Sequence, residues 1–490
     1  MPNMATIKSY SYEGPIQLGS IVAHHAGAAG LFVAHPAQVV LEGSEEDQAY
    51  RLKVTIEGKL EASFKGDKTA EGRRSIGHDL LSFLRIYQGL NPYGDWGTMV
   101  GVRPTKFLHK AMNSYQIHGL NQEDCLARAL ADMKEIFHVS ADKRELLASI
   151  VSLQRPLVGH RLGGDRHISV YGGIPFCQTR CSYCSFPYGL IQDYGRVDQF
   201  IGAFKRDADH LKDVLAAHNL TVDSLYLGGG TPTAVSDGDF EQVLEALDGL
   251  LGPGREYTVE AGRPDSVSPD KLASMLRHGV NRISINPQTL QDPILKAIGR
   301  GHRAQDIKDL YQFVKKTTDL VVNMDFIAGL PGQTYDHMVE NMDYICEALP
   351  ENVTIHTLAL KKGSPLYEGK GLDQVASESQ VEDMVAYARE RLLAMGYEPY
   401  YLYRQQYMRG QLENIGYSLP GKACQYNIHM MEEAQSILSI GPGSSSKWMR
   451  YPDYRQRKQH MPKNVDVYID TLDQLLNKRK HISDTFWEVL

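Results

Sequence analysis

Short apolar runs broken by turn residues dominate the first hundred positions. SIVAHHAG, GLFVAHPAQVVLEG and YRLKVTIEGKLEASFKG predict a small β-rich module over residues 1–100. From 103 to 155 the spacing becomes helical in RPTKFLHKAMNSYQI, NQEDCLARALADMKEIF and SADKRELLASIVSL, with Asn121 and Ser140 placed as N-caps. This predicts a helical connector over 101–160, ended by the glycines and proline of RPLVGHRLGGD. Beyond it, apolar strand patterns alternate with amphipathic helical ones: HISVYG, SLYLGG, YTVEA, RISIN, VVNMDFIAGL and VTIHTLAL are each followed by a helical segment. Six such repeats predict an α/β fold, a mostly parallel sheet curled into a partial (β/α)6 barrel over 161–395. Residues 396–490, ending in the amphipathic VDVYIDTLDQLLNKRK, are expected to flank or cap it.

Composition narrows the function classes. The chain has 490 residues and 52 Lys and Arg against 59 Asp and Glu, a formal charge of −7, which argues against nucleic acid or a membrane surface as the main partner. No run of 18 apolar residues is present and the first twenty residues lack a secretory pattern, so no membrane span and a cytoplasmic location are expected. Of the six cysteines, Cys177, Cys181 and Cys184 fall within eight residues, which is not how a disulfide framework is spread. Cys125 and Cys346 lie in helical patterns, where packing is the expected role.

In GGIPFCQTRCSYCSFP the Cys-x3-Cys-x2-Cys spacing suits one cubane iron-sulfur cluster with its fourth iron left open. A structural zinc site is the competitor, but it normally takes four protein ligands and no fourth Cys or His stands nearby in sequence. Coincidental free thiols are the third reading. The second feature is LYLGGGTPT, where Gly228, Gly229, Gly230 and Thr231 follow a strand pattern. Consecutive glycines let a ligand approach the backbone, although a tight turn explains them equally well in isolation. In a barrel of this kind the loops after the strands build the site, and the cysteine loop and the glycines follow successive strands.

These motifs resemble the radical S-adenosylmethionine enzymes, and within them the oxygen-independent coproporphyrinogen III oxidase family. YGGIPFCQTRCSYCSF, GGGTPT, the Glu of TVEAGRP, the Gln of INPQ and MDFIAGLPGQT follow in that family's order over roughly 166–445. Length, the N-terminal extension and GVRPTK at 101–106 are most similar to the HemZ branch, known as coproporphyrinogen dehydrogenase. The resemblance implies a [4Fe-4S] cluster on Cys177, Cys181 and Cys184, whose open iron chelates S-adenosylmethionine. It further implies that Gly228, Gly229 and Gly230, with Thr231, meet the methionyl amine, that Arg300 pairs with the carboxylate, and that Glu260, Gln288 and Asp325 receive the ribose hydroxyls. Tyr171, six residues before Cys177, is carried over as the residue beside the cofactor and as catalytic. The same residues also admit plainer roles: a surface arginine, a strand-end cap, a core aromatic.

The implied reaction is oxidative decarboxylation of two propionates of coproporphyrinogen III to vinyls, giving protoporphyrinogen IX. An electron donor such as flavodoxin or ferredoxin would feed it, and the substrate is a tetrapyrrole. The sequence departs from the best-understood oxidases at Phe186, where they carry a further cysteine. The related haem-chaperone branch also has phenylalanine there, which keeps haem handling, or radical chemistry on another tetrapyrrole, as alternatives. That branch's His-Asn-x-x-Tyr-Trp is matched poorly by CQYNIHMMEEA, leaving His429 as a structural histidine. Cys424 and Asn427 are read as approaching the tetrapyrrole or ordering a loop, and Arg404 and Arg409 as meeting propionates or being solvated.

Overall fold

Six parallel strands, laid side by side in the order they occur in the chain, form the centre of one of the two compact units of the computed structural model. The structure describes residues 9–33, 36–100, 103–158, 166–185, 189–359, 363–368, 375–405, 412–450 and 455–487. Phe186 and Arg409 lie outside them. The chain divides into two compact units, one of residues 1–149 and 403–413, the other of residues 150–402 and 414–490.

In the first unit, strands β1 (Ser9–Glu13), β2 (Phe32–Val33), β3 (Val39–Glu45), β4 (Ala49–Ile56) and β5 (Lys59–Asp67) make a sheet of order β2-β1-β3-β4-β5. Helices α1 (Ile16–Ala28) and α2 (Ala70–Tyr87) pack on its core. Here the strand expectation for SIVAHHAG fails, because those residues lie inside α1. Leu18, Val22, His25 and Ala26 are buried at helical spacing, and that face outweighs the β-branched residues of the short window. The three helices expected from 103 to 155 form as α3 (Pro104–Ile117), α4 (Gln122–Phe137) and α5 (Ala141–Val158), the last running from the first unit into the second. Asn121 caps α4 by accepting the Asp124 N–H at 2.8 Å, and Ser140 Oγ accepts the Lys143 N–H at 3.3 Å.

Arg404, expected at propionates or in solvent, does neither. Its guanidinium is buried 5.0 Å from the Trp96 ring centre and donates to the Met99 carbonyl. Burial lowers its pKa to about 10. Glu413 completes the cluster by accepting from Trp96 Nε1 and Lys143 Nζ, each at 2.7 Å.

The second unit carries β6 (His167–Ile174), β7 (Phe176–Cys177), β8 (Gly189–Leu190), β9 (Thr221–Gly229), β10 (Glu256–Glu260), β11 (Arg282–Ser284), β12 (Val321–Ala328) and β13 (Asn352–Thr357). Strands β6, β9, β10, β11, β12 and β13 are neighbours in that order and all parallel. The crossovers contain helices α6 (Val197–Ala217), α7 (Asp237–Leu247), α8 (Pro269–Arg277), α9 (Asp292–Ala297), α10 (Ala304–Thr317) and α11 (Tyr335–Ala348), and α12 (Glu378–Ala394) follows β13. This is the expected (β/α)6 partial barrel.

Both sides of the parallel sheet are extended by later strands: β14 (Glu398–Tyr403) and β15 (Asn414–Ser418) beyond β13, and β16 (Ser436–Ile440), β17 (Ser445–Arg450) and β18 (Arg455–His460) beyond β6. Between them runs the short helix α13 (Gln425–Glu432), which buries Tyr426, Ile428 and His429. The tail forms α14 (Val465–Asp470) and α15 (Leu472–Trp487).

A wholly buried ion pair ties this C-terminal region to α6. Arg479 Nη2 lies 2.7 Å from Asp207 Oδ1, and Asp207 Oδ2 accepts from Tyr468 Oη at 2.7 Å and from the Gly441 N–H at 2.9 Å. Gly441 backs directly onto Gly173 of β6, so no side chain fits there. The strand leading to the cysteine loop is thus braced from behind. Among the described residues no helix is long and apolar enough to cross a membrane.

Candidate active site at the strand C-termini

Strand β6 delivers the chain to Cys177, and the loop turns back through Cys181 and Cys184. All three thiols line one cavity of about 110 Å³ together with Gly230, Thr231, Glu260, Arg263, Asn286 and Arg300. These residues come from the ends of β6, β9, β10 and β11, the placement expected when parallel strands direct their following loops to one face.

Close packing fixes the loop. The Gly230 N–H donates to Ile174 O at 2.8 Å and the Thr231 N–H to Phe176 O at 2.7 Å, which extends the β6–β9 pairing into the cysteine loop. At Gly229 the backbone is left-handed (φ 119°) and an added Cβ would meet Ile174 O at 2.5 Å. At Gly230 it would strike Phe176 O and come within 2.9 Å of Cys177 Sγ. The glycines therefore let the two loops nest. The N–H groups of Gly230 and Thr231 are committed inward and the Thr231 carbonyl accepts the Ala234 N–H at 2.9 Å, so of this backbone the Gly230 carbonyl is the group that suits a donor such as an ammonium.

Cations balance the thiols. Arg263, buried to 3% exposure, donates from Nη2 to Cys181 Sγ at 3.1 Å and to Thr179 O at 3.0 Å. Thr231 Oγ1 lies 3.8 Å from Cys177 Sγ. Burial raises the Cys177 pKa, while the Thr231 hydroxyl and the Arg263 charge oppose that rise. Arg300 donates from Nη1 to Asn286 O at 2.6 Å and to Gly262 O at 3.2 Å, and its buried Nε has no partner among the described residues. An unpaired buried donor costs about 1–3 kcal/mol, so a guanidinium held this way in a cavity wall is poised for an anion.

Glu260, at the C-terminal end of β10, accepts from Tyr226 Oη at 2.7 Å. Burial pushes its pKa up to about 7; the Tyr226 hydrogen bond opposes the shift, the Asp325 charge adds to it, and the Gly229 N–H opposes it. Asp325 of β12 goes the other way. Burial acts to raise its pKa, but the hydrogen bond and charge of His356 with support from Asn323 and Thr354 outweigh that and lower it. Tyr171 stacks near Tyr226 and Tyr426, with ring centres 6.2 and 6.3 Å away. Gln288 is buried with a left-handed backbone (φ 66°), pairing through its N–H with Asp325 O at 2.8 Å and through its carbonyl with the Ile327 N–H at 2.9 Å. A glutamine forced into this conformation marks a position the surroundings over-determine.

The cavity wall thus unites Cys177, Cys181, Cys184, Gly230, Thr231, Glu260 and Arg300. Tyr171, Gly228, Gly229, Gln288 and Asp325 stand behind it on the same strands or their extensions. Arg263, Tyr226 and Asn286 were not singled out by sequence reasoning. For Arg263 a signal was available, since it follows Glu260 by three residues in TVEAGRP.

Cys424 is not at this face. Its Sγ lies 3.3 Å from Oε1 of Glu256, the first residue of β10, so it sits at the opposite, N-terminal end of the sheet. Glu256 also accepts the N–H groups of Gln425 and Tyr426 at 2.8 Å each, anchoring the start of α13. Asn427 donates to Tyr400 Oη at 3.1 Å. His429 is buried to 1% exposure and does not line the cavity. Cys424 and Asn427 therefore order the floor of the barrel, and His429 has the structural place its sequence context suggested.

Among the described residues no three His, Cys, Asp or Glu side chains are grouped as ligands of a single metal ion. The three thiols instead stand around a cavity. Three cysteines lining one cavity suit a [4Fe-4S] cube, in which each of three irons takes one thiolate, better than a structural zinc ion, which takes four protein ligands about 2.0–2.3 Å away.

Comparison with known proteins agrees with this geometry. Residues 171–345 match the Radical SAM superfamily. The oxygen-independent coproporphyrinogen-III oxidase-like protein HemZ of Bacillus subtilis is 36% identical over 424 residues, covering 84% of this chain and 82% of that protein. The haem chaperone HemW of Bacillus subtilis is 27% identical over 47% of this chain and 62% of its own length. Among solved structures, coproporphyrinogen III oxidase (HemN) of Escherichia coli shares the fold with a TM-score of 0.53 at 18% identity, over 66% of this chain and 72% of that one. The chain belongs to the radical SAM superfamily and, within it, to the oxygen-independent coproporphyrinogen-III oxidase-like family, whose cofactors are a [4Fe-4S] cluster and S-adenosylmethionine.

Proposed function

We propose that the protein converts coproporphyrinogen III to protoporphyrinogen IX by oxidative decarboxylation of two propionate side chains. The observation that carries this reading is the convergence of three cysteines, the buried Arg263, the half-buried Arg300 and Glu260 on one cavity, in a chain 36% identical to an oxidase-like protein. Cys177, Cys181 and Cys184 would hold the cluster, and Arg263 would offset its negative charge beside Cys181. Arg300 would take the carboxylate of S-adenosylmethionine on its Nε edge, the backbone of Gly228, Gly229 and Gly230 with Thr231 its ammonium, and Glu260, Gln288 and Asp325 its ribose hydroxyls, with Tyr171 alongside. When bound, the two cofactors supply a 5′-deoxyadenosyl radical able to take a hydrogen atom from a propionate β-carbon.

The chain's own work is placement and exclusion. The nested glycine and cysteine loops fix the thiols, and the stacked Tyr171, Tyr226 and Tyr426 wall off the barrel interior behind Glu260. Burial of these groups keeps water from the reacting carbon. Helix α13 closes the floor, so the ligand must enter from the strand C-terminal side. The test is anaerobic incubation of the reconstituted protein with coproporphyrinogen III, S-adenosylmethionine and a reductant. Vinyl product with carbon dioxide and 5′-deoxyadenosine is expected, whereas cofactor cleavage without decarboxylation would defeat the proposal.

A second reading, haem handling on the same scaffold, draws on the 27% identity to haem chaperones. It predicts stoichiometric haem retention, which the buried place of His429 speaks against.

A further inference from the structure

Burying a guanidinium without an opposite charge is costly, because the cation gives up its water and no carboxylate compensates it. Arg263 is buried in that state. Its Nη1 donates to Thr179 Oγ1 at 2.5 Å, and its Nη2 to Thr179 O at 3.0 Å and to Cys181 Sγ at 3.1 Å, so none of these partners is a carboxylate. The positive field it shares with Arg300 is felt nearby. Burial lowers the pKa of His302 to about 4, and the charges of Arg300 and Arg263 add to that while Asp306 and Asp292 oppose it.

The side chain is held from behind. The Arg263 carbonyl accepts from Ser266 Oγ at 2.8 Å, and Ser266 Oγ lies 2.6 Å from Thr233 Oγ1. The buried Lys271 Nζ donates to the carbonyls of Thr233 at 2.9 Å and Ser266 at 3.2 Å. One lysine thus joins the loop after β9 to the turn after β10 and fixes the segment that carries Arg263 to Cys181. The cysteine loop has anchors of its own on the end of α9. Ser182 N–H donates to Ile298 O at 3.0 Å, and Thr179 Oγ1 donates to Gly299 O at 2.7 Å. Its course therefore does not depend on the guanidinium, and a role beyond folding is needed to account for the buried charge.

That role is electrostatic. Three thiolates on an oxidised [4Fe-4S] core leave a net negative charge, and reduction makes it more negative by one unit. A fixed cation in a dry site favours the more negative state, and an N–H donated to a ligating sulfur acts in the same direction. We propose that Arg263 sets the reduction potential of the cluster held by Cys177, Cys181 and Cys184, raising it toward that of the electron donor. This rests on the cofactor reading of the site and is independent of the substrate. In the step concerned the donor loses one electron and the cluster gains it, no bond forms or breaks, and the guanidinium stays protonated throughout.

The test is a potentiometric titration of the anaerobically reconstituted full chain, with dithionite as reductant and mediator dyes present. Reduced cluster is read by electron paramagnetic resonance, with neither porphyrinogen nor S-adenosylmethionine added. At a fixed ambient potential, Arg263→Gln, which keeps an amide donor and removes the charge, is expected to lower the ratio of reduced to oxidised cluster about tenfold, a shift of about 59 mV to lower potential. Arg263→Lys keeps the charge and loses the planar fork, and is expected to lower that ratio about threefold. Iron and acid-labile sulfide per chain should match the wild type in both. An unchanged potential in fully loaded Arg263→Gln protein would overturn the proposal. Loss of the cluster from both variants would overturn it too, since the arginine would then serve assembly. A wild-type chain that assembles no cluster would strike the cofactor reading and this proposal with it, whereas failure to decarboxylate coproporphyrinogen III counts against the substrate alone.

Discussion

Glu256 and Glu260 stand at the two ends of one strand and lead opposite lives. Glu256, at the N-terminal end of β10, accepts two backbone N–H groups and lies beside Cys424 and, at 3.7 Å, Arg282. Arg282 of β11 and Asn352 of β13 both donate to Lys422 O. That end is closed and its hydrogen bonding is reciprocal. Glu260, at the other end, has one side-chain partner and a pKa raised to about 7. Next to it, Arg300 keeps a buried Nε unpaired. The floor is built to hold the barrel together, whereas the rim keeps a buried guanidinium donor unpaired and a carboxyl with a raised pKa, features that a stable fold by itself does not call for.

The sharpest way to break this contrast is at the cysteines. Alanine at any one of Cys177, Cys181 or Cys184 is expected to abolish stable cluster assembly, read as iron and acid-labile sulfide after anaerobic reconstitution, with little change in helix content by circular dichroism. Next in size is the floor. Glu256→Ala strands two N–H donors and the Arg282 charge, and should cost about 3 kcal/mol, read as a lower urea midpoint, while S-adenosylmethionine affinity in properly folded protein stays near wild type.

Glu260→Gln should reverse that pattern. Binding of S-adenosylmethionine weakens about tenfold, close to 1.4 kcal/mol, for the loss of a charge-assisted bond, and stability does not fall. The smallest effect is on pH. Since the folded-state pKa of Glu260 is raised, its protonated form favours folding; that contribution is full below the unfolded value of 4.5 and is lost as pH rises through about 7. Stability of the wild type should therefore decline between pH 4.5 and 7 by a component that Glu260→Gln lacks, as differential thermal melts would show.

Much of the rim was legible in the sequence because its chemistry lies in contiguous motifs. The Cys-x3-Cys-x2-Cys spacing, the glycine run and the strand-end Glu260 each sit directly after an apolar strand pattern, and parallel topology alone brings strand ends together. The six-strand order followed from the same alternation. What escaped was non-local. Nothing in GKACQYNIHMM shows that the chain returns beneath the barrel, so the sequence leaves Cys424 open between approaching the tetrapyrrole and ordering a loop, and its partner, Glu256, 168 residues away in sequence, decides for the second. Arg404 looked like a free cation because its cover, Trp96, comes from a distant segment of the same unit. In SIVAHHAG a short window hid the longer helical stripe of Leu18, Val22 and Ala26.

The central claim, that the underpaired rim serves radical decarboxylation of a porphyrinogen, is tested most directly by product analysis under strict anaerobiosis. With coproporphyrinogen III, S-adenosylmethionine and a one-electron reductant, the expected result is protoporphyrinogen IX with two carbon dioxide released per tetrapyrrole, and none with the Cys181→Ala protein. Formation of 5′-deoxyadenosine with every propionate left intact would contradict it.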